Sequence, residues 1–262
     1  MSAMQSDAQT AGGRPAGPAL ADPVAEGRRL VAHAQTQGVT VRLLGGVAVF
    51  LQAPDGKPLL DREIRDIDVV APRDSKRLLE PLFQGLGYIG DESFNVLHGH
   101  HRQLYVDLAN ERKVDVFVGS FSMCHAIPIA DRLDDDPLTV PLAELLLTKL
   151  QIVQLNERDE RDIYNLCFHH PISDTDGRAI EGPVIARLCA ADWGLWRTVK
   201  GTIERCQKDL EHYALASDVR VLIAQRMDEL WRQIEAAPKS GKWRRRSRLG
   251  DRMRWYQEPE EE

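Results

Sequence analysis

Apolar and polar positions follow two rhythms along this chain, one helical and one strand-like. Over 23–37 the apolar residues Val24, Leu30, Val31 and Ala34 recur at helical spacing, and Gly38 supplies a stop. A short apolar run over 39–44 reads as a strand and ends in Gly45-Gly46. A second helical pattern follows over 47–52. Residues 53–65 are polar, contain Pro and Gly, and read as a loop into an apolar run that carries Asp66-Ile67-Asp68. The spacing then predicts a helix over 74–86, with a core-facing stripe of Leu78, Leu79, Leu82 and Phe83 ended by Gly85 and Gly87. Strands are expected at 94–97, 103–108 and 114–118, the last two joined by a hairpin loop over 109–113. A polar, acidic stretch over 128–136 precedes an extended piece at 138–141. The helix over 142–155 has a stripe of Leu142, Leu145, Leu146, Leu150 and Val153. After a break at Asn156 comes a helix over 157–168 that includes Ile163, Leu166 and Cys167. The remainder reads as a linker over 171–176 and helices at 183–191, 195–213 and 217–236, with Trp193, Trp196, Val199 and Ile203 as packing residues. Residues 1–21, rich in Ala, Gly, Ser, Gln and Pro, read as a disordered tail.

Composition narrows the classes. With 262 residues the chain can build one large core or two small ones, and 43% hydrophobic with 28% charged residues is ordinary for a soluble globular protein. A formal charge of −6 argues mildly against a dedicated nucleic-acid binder, yet leaves room for a local basic patch. No apolar run approaches membrane-spanning length, and the N-terminus has no basic region followed by an apolar core, so no membrane or secretory role is expected. The four cysteines, Cys124, Cys167, Cys189 and Cys206, show no C-x-x-C spacing and read as reduced thiols of a cytoplasmic protein.

The chemistry-bearing residues come next. On a strand, Asp66 and Asp68 project from one face and Ile67 and Val69 from the other, with the two Cα atoms roughly 6–7 Å apart. Such a pair can share a divalent cation, or hold two about 3.5–4 Å apart. Without a cation the charges raise each other's pKa. Gly45-Gly46, at a strand-to-helix junction, lets the backbone approach a phosphate, and free N–H groups at the new helix favour an anion. Asp115 interrupts the apolar run Val114–Val118, where a lone carboxylate is costly unless paired or bound to metal. It reads either as a site residue or as a solvent-facing carboxylate, and Asp107 on the partner strand is its rival. Lys149 lies within an apolar helical stripe and reads either as snorkelling to the surface or as a cation for phosphates. His98, His100 and His101 form a polar cluster open to metal or phosphate. A run of Lys and Arg over 242–254, interleaved with Trp243 and followed by Trp255, has a composition suited to RNA or phosphate contacts; residues 258–262 are acidic.

The Gly45-Gly46 turn followed by the Asp66-x-Asp68 strand resembles the nucleotidyltransferase superfamily, the DNA polymerase β-like fold. The Leu-Leu-x-x-Lys-Leu helix with Lys149, followed by Arg161-Asp162-Ile163-Tyr164, resembles more narrowly the abortive-infection E-type nucleotidyltransferases, toxin components of toxin–antitoxin systems. The likeness covers about residues 40–168. Where that group often has Ser or Thr two residues before the first Asp, this chain has Ile64. Asn165 stands where a second Asp is common. The resemblance implies an α/β (α+β) fold, a mixed sheet with flanking helices over 22–170, followed by a helical domain over 177–237 and a tail over 238–262. It implies Mg²⁺ as cofactor, held by Asp66, Asp68 and Asp115, the last also a general base. It implies phosphate contacts from Gly45, Gly46 and Lys149, with Asp162, or alternatively Asp159, orienting Lys149. The implied reaction moves a nucleoside monophosphate from an NTP to an acceptor hydroxyl. The acceptor is a tRNA 3′ end in a toxin, with an antitoxin protein as partner, or a small hydroxylated molecule, as in the antibiotic-modifying members. A non-catalytic nucleotide-binding module is the remaining reading.

Overall fold

The computed structural model describes residues 17–175 and 178–258. Helix α1 (Pro23–Thr36) starts where Asp22 accepts a hydrogen bond from the Ala25 N–H and Pro23 takes a first-turn position; Gly38, at φ +68°, ends it. Strand β1 (Arg42–Leu44) runs directly into α2 (Gly45–Gln52). After a loop come β2 (Ile67–Ala71), α3 (Lys76–Gly85), β3 (Ile89–Gly90), α4 (Glu92–His98), β4 (Arg102–Asp107) and β5 (Arg112–Val118). A small hairpin follows, β6 (Ser120–Ser122) with β7 (Ala126–Pro128). Then come α5 (Leu142–Leu150), α6 (Glu157–His169) and a short parallel pair, β8 (Ile172–Ser173) with β9 (Ile180–Glu181). The chain closes with α7 (Gly182–Ala191), α8 (Trp193–Asp209), α9 (Ser217–Ala236) and α10 (Gly241–Ser247).

The main sheet has the order β1-β2-β5-β4-β3 and is mixed: only β2 and β5 run parallel. The fold is thus mixed α/β. The extended piece expected at 138–141 lies against β1, with Leu43 N–H donating to the Leu138 carbonyl and Val140 N–H to that of Leu43. The hydrophobic core runs from the sheet (Val69, Val116) through α5 and α6 (Leu146, Ile163) into α7–α9 (Ile185, Val199, Ile223) without a break at the linker. All four cysteines are buried and unpaired with one another. No helix among the described residues is long and apolar enough to cross a membrane.

Several elements differ from the sequence expectation. Residues 94–97 lie in helix α4, not in a strand: Asp91 caps it by accepting from the Phe94 N–H, and Val96 and Leu97 face solvent. Leu78 is exposed, so the buried stripe of α3 is Leu79, Leu82 and Phe83. Helix α5 stops at Leu150, five residues short of the expected end, and the strand expected over 39–44 forms only over β1. Within the tail expected to be disordered, residues 17–21 are tied down: Arg29 donates to the Gly17 carbonyl, and Arg112 to those of Leu20 and Ala21. The rest of that tail, residues 1–16, lies outside the described residues, as do 176–177 and 259–262 of the linker and acidic end.

Candidate active site

The central strands put two carboxylates side by side. Asp68 on β2 is in register with Asp115 on the parallel neighbour β5, and in-register residues point to the same face. Asp66 precedes β2 and is exposed, while Ile67 and Val69 are fully buried on the other side, the alternation that the sequence predicts. Asp66, Asp68 and Asp115 line one cleft of ≈ 320 Å³, together with Gly45 and Lys149. Burial, followed by the negative charges of Asp66 and Asp115, holds the Asp68 carboxyl well above the usual aspartate range.

The paired glycines follow from close approach. Gly45 sits at φ +64°, and a Cβ there would collide with the Asp68 carboxylate. A Cβ on Gly46 would meet the guanidinium of Arg62. Both glycines are therefore the first residues of α2 rather than a separate turn before it, and no side chain caps that helix. Its first N–H groups are the orphans every helix start carries, and here they adjoin the cleft.

Lys149, near the end of α5, reaches α6. Its Nζ lies 3.0 Å from Asp162 Oδ2 and 3.1 Å from Asp159 Oδ1. Both carboxylates offered by the sequence therefore hold this ammonium. Burial acts against its charge, but Asp162 and Asp159 outweigh it and raise the Lys149 pKa above the ordinary lysine range. Burial likewise opposes the Asp162 carboxylate, while Lys149 and Arg62 hold its pKa below the usual value.

Arg62 is a participant that the sequence pattern does not flag. Its Nε and Nη2 each donate to Asp162 at 2.8 Å. It sits in a polar loop, where periodicity carries no information. The loop is pinned from α6: the Asn165 side chain accepts from the Leu60 N–H at 2.9 Å and donates to the Leu60 carbonyl at 2.8 Å. An aspartate could not make the second bond, which gives the Asn165 departure a local reason. Arg161 adds a bond to the Asp61 carbonyl.

Asp115 is held by Arg102 of β4, which donates to it from Nε at 2.8 Å and again from Nη2. Asp66 and Asp68 are the pair that could hold a divalent cation of the kind the resemblance implies: a positive charge at that face would offset the burial and repulsion that raise the Asp68 pKa. Among the described residues, no three His, Cys, Asp or Glu side chains are gathered to hold a metal ion. Asp115, the third carboxylate of the expected set, lines the same cleft with its oxygens engaged by Arg102. Asp107 does not line the cleft. It bonds the Ala109 and Asn110 N–H groups at the β4–β5 turn and pairs with Arg112. The histidine cluster is also outside the cleft lining, with His100 and His101 bonded to each other at 2.9 Å.

The basic C-terminal segment folds back onto the helices. Trp243 packs on Trp196, and Trp255 on Trp193. Trp255 Nε1 donates to Thr198 Oγ1, which also bonds His125 Nε2; the His125 N–H donates to Gln151 Oε1 on the cleft wall.

No protein-family model matches this chain, and no curated protein does. Among solved structures similar to this chain is the crystal structure of an antigenic nucleotidyltransferase-like protein from Paracoccidioides brasiliensis. Its TM-score is 0.43 and its identity 12%, over 86% of this chain and 97% of that one. What the cleft can do follows from its own residues.

Proposed function

We propose that this cleft transfers a nucleoside monophosphate from an NTP to an acceptor hydroxyl. The observation that carries this reading is Asp68 in register with Asp115, packed over Gly45 and flanked by Lys149. In the reaction the acceptor oxygen bonds to the α-phosphorus, the bond to the bridging oxygen breaks, and pyrophosphate leaves. Bound by Asp66 and Asp68, with Asp115 completing the site if Arg102 releases an oxygen, Mg²⁺ would neutralise the triphosphate and acidify the attacking hydroxyl. Asp115 takes the hydroxyl proton, and Arg102 orients it until then. The N–H groups of Gly45 and Gly46 donate to phosphate oxygens at the start of α2. Lys149, oriented by Asp162 and Asp159, offsets the charge developing on the leaving pyrophosphate, with Arg62 as a second cation beside it.

Two acceptors are supported by different features. The basic C-terminal segment favours an RNA, the tRNA 3′ end of a toxin neutralised by an antitoxin protein. The net charge of −6 favours a small hydroxylated molecule. The test is incubation with each NTP labelled at the α-phosphate, Mg²⁺ and total tRNA, with Asp68→Ala as control. Label on tRNA that the control loses is the expected result and names the base. Label that persists undiminished with Asp68→Ala overturns the mechanism. Growth arrest on expression, relieved by a neighbouring gene, would support the toxin reading.

A further inference from the structure

A second cavity of ≈ 410 Å³ adjoins the cleft. Hairpin β6–β7, the start of α8 and the C-terminal segment enclose it, and Cys124 lies on the walls of both spaces. Its walls are aromatic and cationic: Trp193, Trp243, Trp255 and Tyr256 alternate with Lys242, Arg246 and Arg254. Arg246 lies 4.5 Å from the Trp193 ring centre and Arg254 4.8 Å from that of Tyr256. Asp192 also faces this space, but its carboxylate is engaged by the Gly194 and Leu195 N–H groups. The segment is anchored to the hairpin by the Gln257 N–H, which donates to the Cys124 carbonyl at 3.0 Å.

We infer that this cavity receives the terminal nucleotides of a single-stranded RNA, with bases against the aromatic walls and phosphates against Lys242, Arg246 and Arg254. Stacking on indole and phenol rings accepts any base, and a backbone phosphate needs cations beside them; the cavity supplies both within the volume of a nucleotide-sized ligand. In a chain of net charge −6, seven basic residues fall between Lys242 and Arg254. Among the described residues, Lys242, Arg244, Arg245, Arg248 and Arg252 have no carboxylate within ion-pairing distance, whereas Arg254 pairs with Glu258 at the exposed chain end. A cationic antibiotic-type acceptor would be repelled here. That the RNA end points at Asp115 rests on the reading of the cleft as a nucleotidyl-transfer centre; the binding itself does not.

The experiment is therefore made without NTP. A short single-stranded RNA bearing a photoreactive 3′ base is bound to the full chain, titrated over a salt series, and crosslinked. The expected crosslinks fall in the peptides holding Cys124 or residues 243–256. Lys242→Glu/Arg254→Glu should weaken binding at least tenfold and reduce the slope of log affinity against log salt by about 1.4, two phosphate contacts' worth. Arg244→Glu/Arg245→Glu carries the same charge change off the cavity wall, and should keep the crosslink positions. Equal loss in both doubles would mean a diffuse basic field and overturn the cavity, as would crosslinks that map elsewhere. Unfolding midpoints of both doubles, compared with the parent, separate lost binding from lost structure. If RNA binds here yet no nucleotide is transferred, the transfer reading fails and this one stands.

Discussion

Asp68 carries a conflict between folding and chemistry. Its carboxyl lines the cleft, with its pKa raised by burial and by Asp66 and Asp115. A raised folded-state pKa means that the native protein binds more protons than the unfolded chain, so stability falls as pH climbs from the ordinary aspartate range through the raised value. Asp68→Asn removes that charge without changing shape. Its expected effect is loss of nucleotidyl transfer together with a gain of roughly 1–2 kcal/mol in metal-free stability at neutral pH. The gain should shrink as pH falls toward the ordinary aspartate range. Added Mg²⁺ should raise the melting temperature of the parent and leave that of Asp68→Asn unmoved. A variant less stable than the parent, or equally stabilised by Mg²⁺, would remove Asp68 from the cation site. The carboxylate pair and the glycines were legible in the sequence because period-two alternation and a strand-to-helix glycine turn are local signals. The Arg102 grip on Asp115 was not, because it depends on the β4–β5 register.

Helices α5 and α6 meet through one buried charge cluster. Lys149 joins Asp162 and Asp159, and Arg62 joins Asp162 from the loop that Asn165 pins. Lys149→Ala leaves Asp159 without its ammonium and Asp162 with Arg62 alone. Removing one member of such a pair costs about 3 kcal/mol, most of it from the charge left behind. Denaturant unfolding at pH 7 should show that loss. Because Asp162 has a depressed pKa, its contribution is present above the unfolded value and fades only as pH falls through the folded one. The gap between parent and variant should therefore narrow once pH falls below the ordinary aspartate range. An unchanged gap there would place the cost in packing, not charge. The sequence shows Lys149 as misplaced in an apolar stripe, which is enough to mark it. It cannot show Arg62, whose partner lies 100 residues away in a loop without periodicity. The same limit explains α4: Phe-Asn-Val-Leu has strand composition, and only the Asp91 cap turns it into a helix.

Across the whole molecule, the C-terminal segment couples the far helices to the cleft. Periodicity placed α9 correctly over Ser217–Ala236 but could not place the segment after it, because a basic run has no apolar stripe and its two indoles are read only in three dimensions. In the fold, Trp243 and Trp255 cover Trp196 and Trp193, and Trp255, Thr198, His125 and Gln151 form a hydrogen-bonded line to the cleft wall. Ending the chain after Ala237 uncovers Trp193 and Trp196. Each half-buried indole removes apolar surface worth roughly 1–2 kcal/mol, so the truncated chain should lose about 3 kcal/mol of stability. The main sheet and the α5–α6 charge cluster are untouched, so NTP should still bind, with Mg²⁺, to the Asp66–Asp68 face. Acceptor-dependent transfer should fall far more than NTP affinity, because the wall that faces the acceptor has gone. Calorimetric NTP titration beside the transfer assay reads the two separately. NTP binding kept with transfer lost assigns the segment to the acceptor; both lost in proportion makes it a brace for the fold, and transfer undiminished removes it from the reaction.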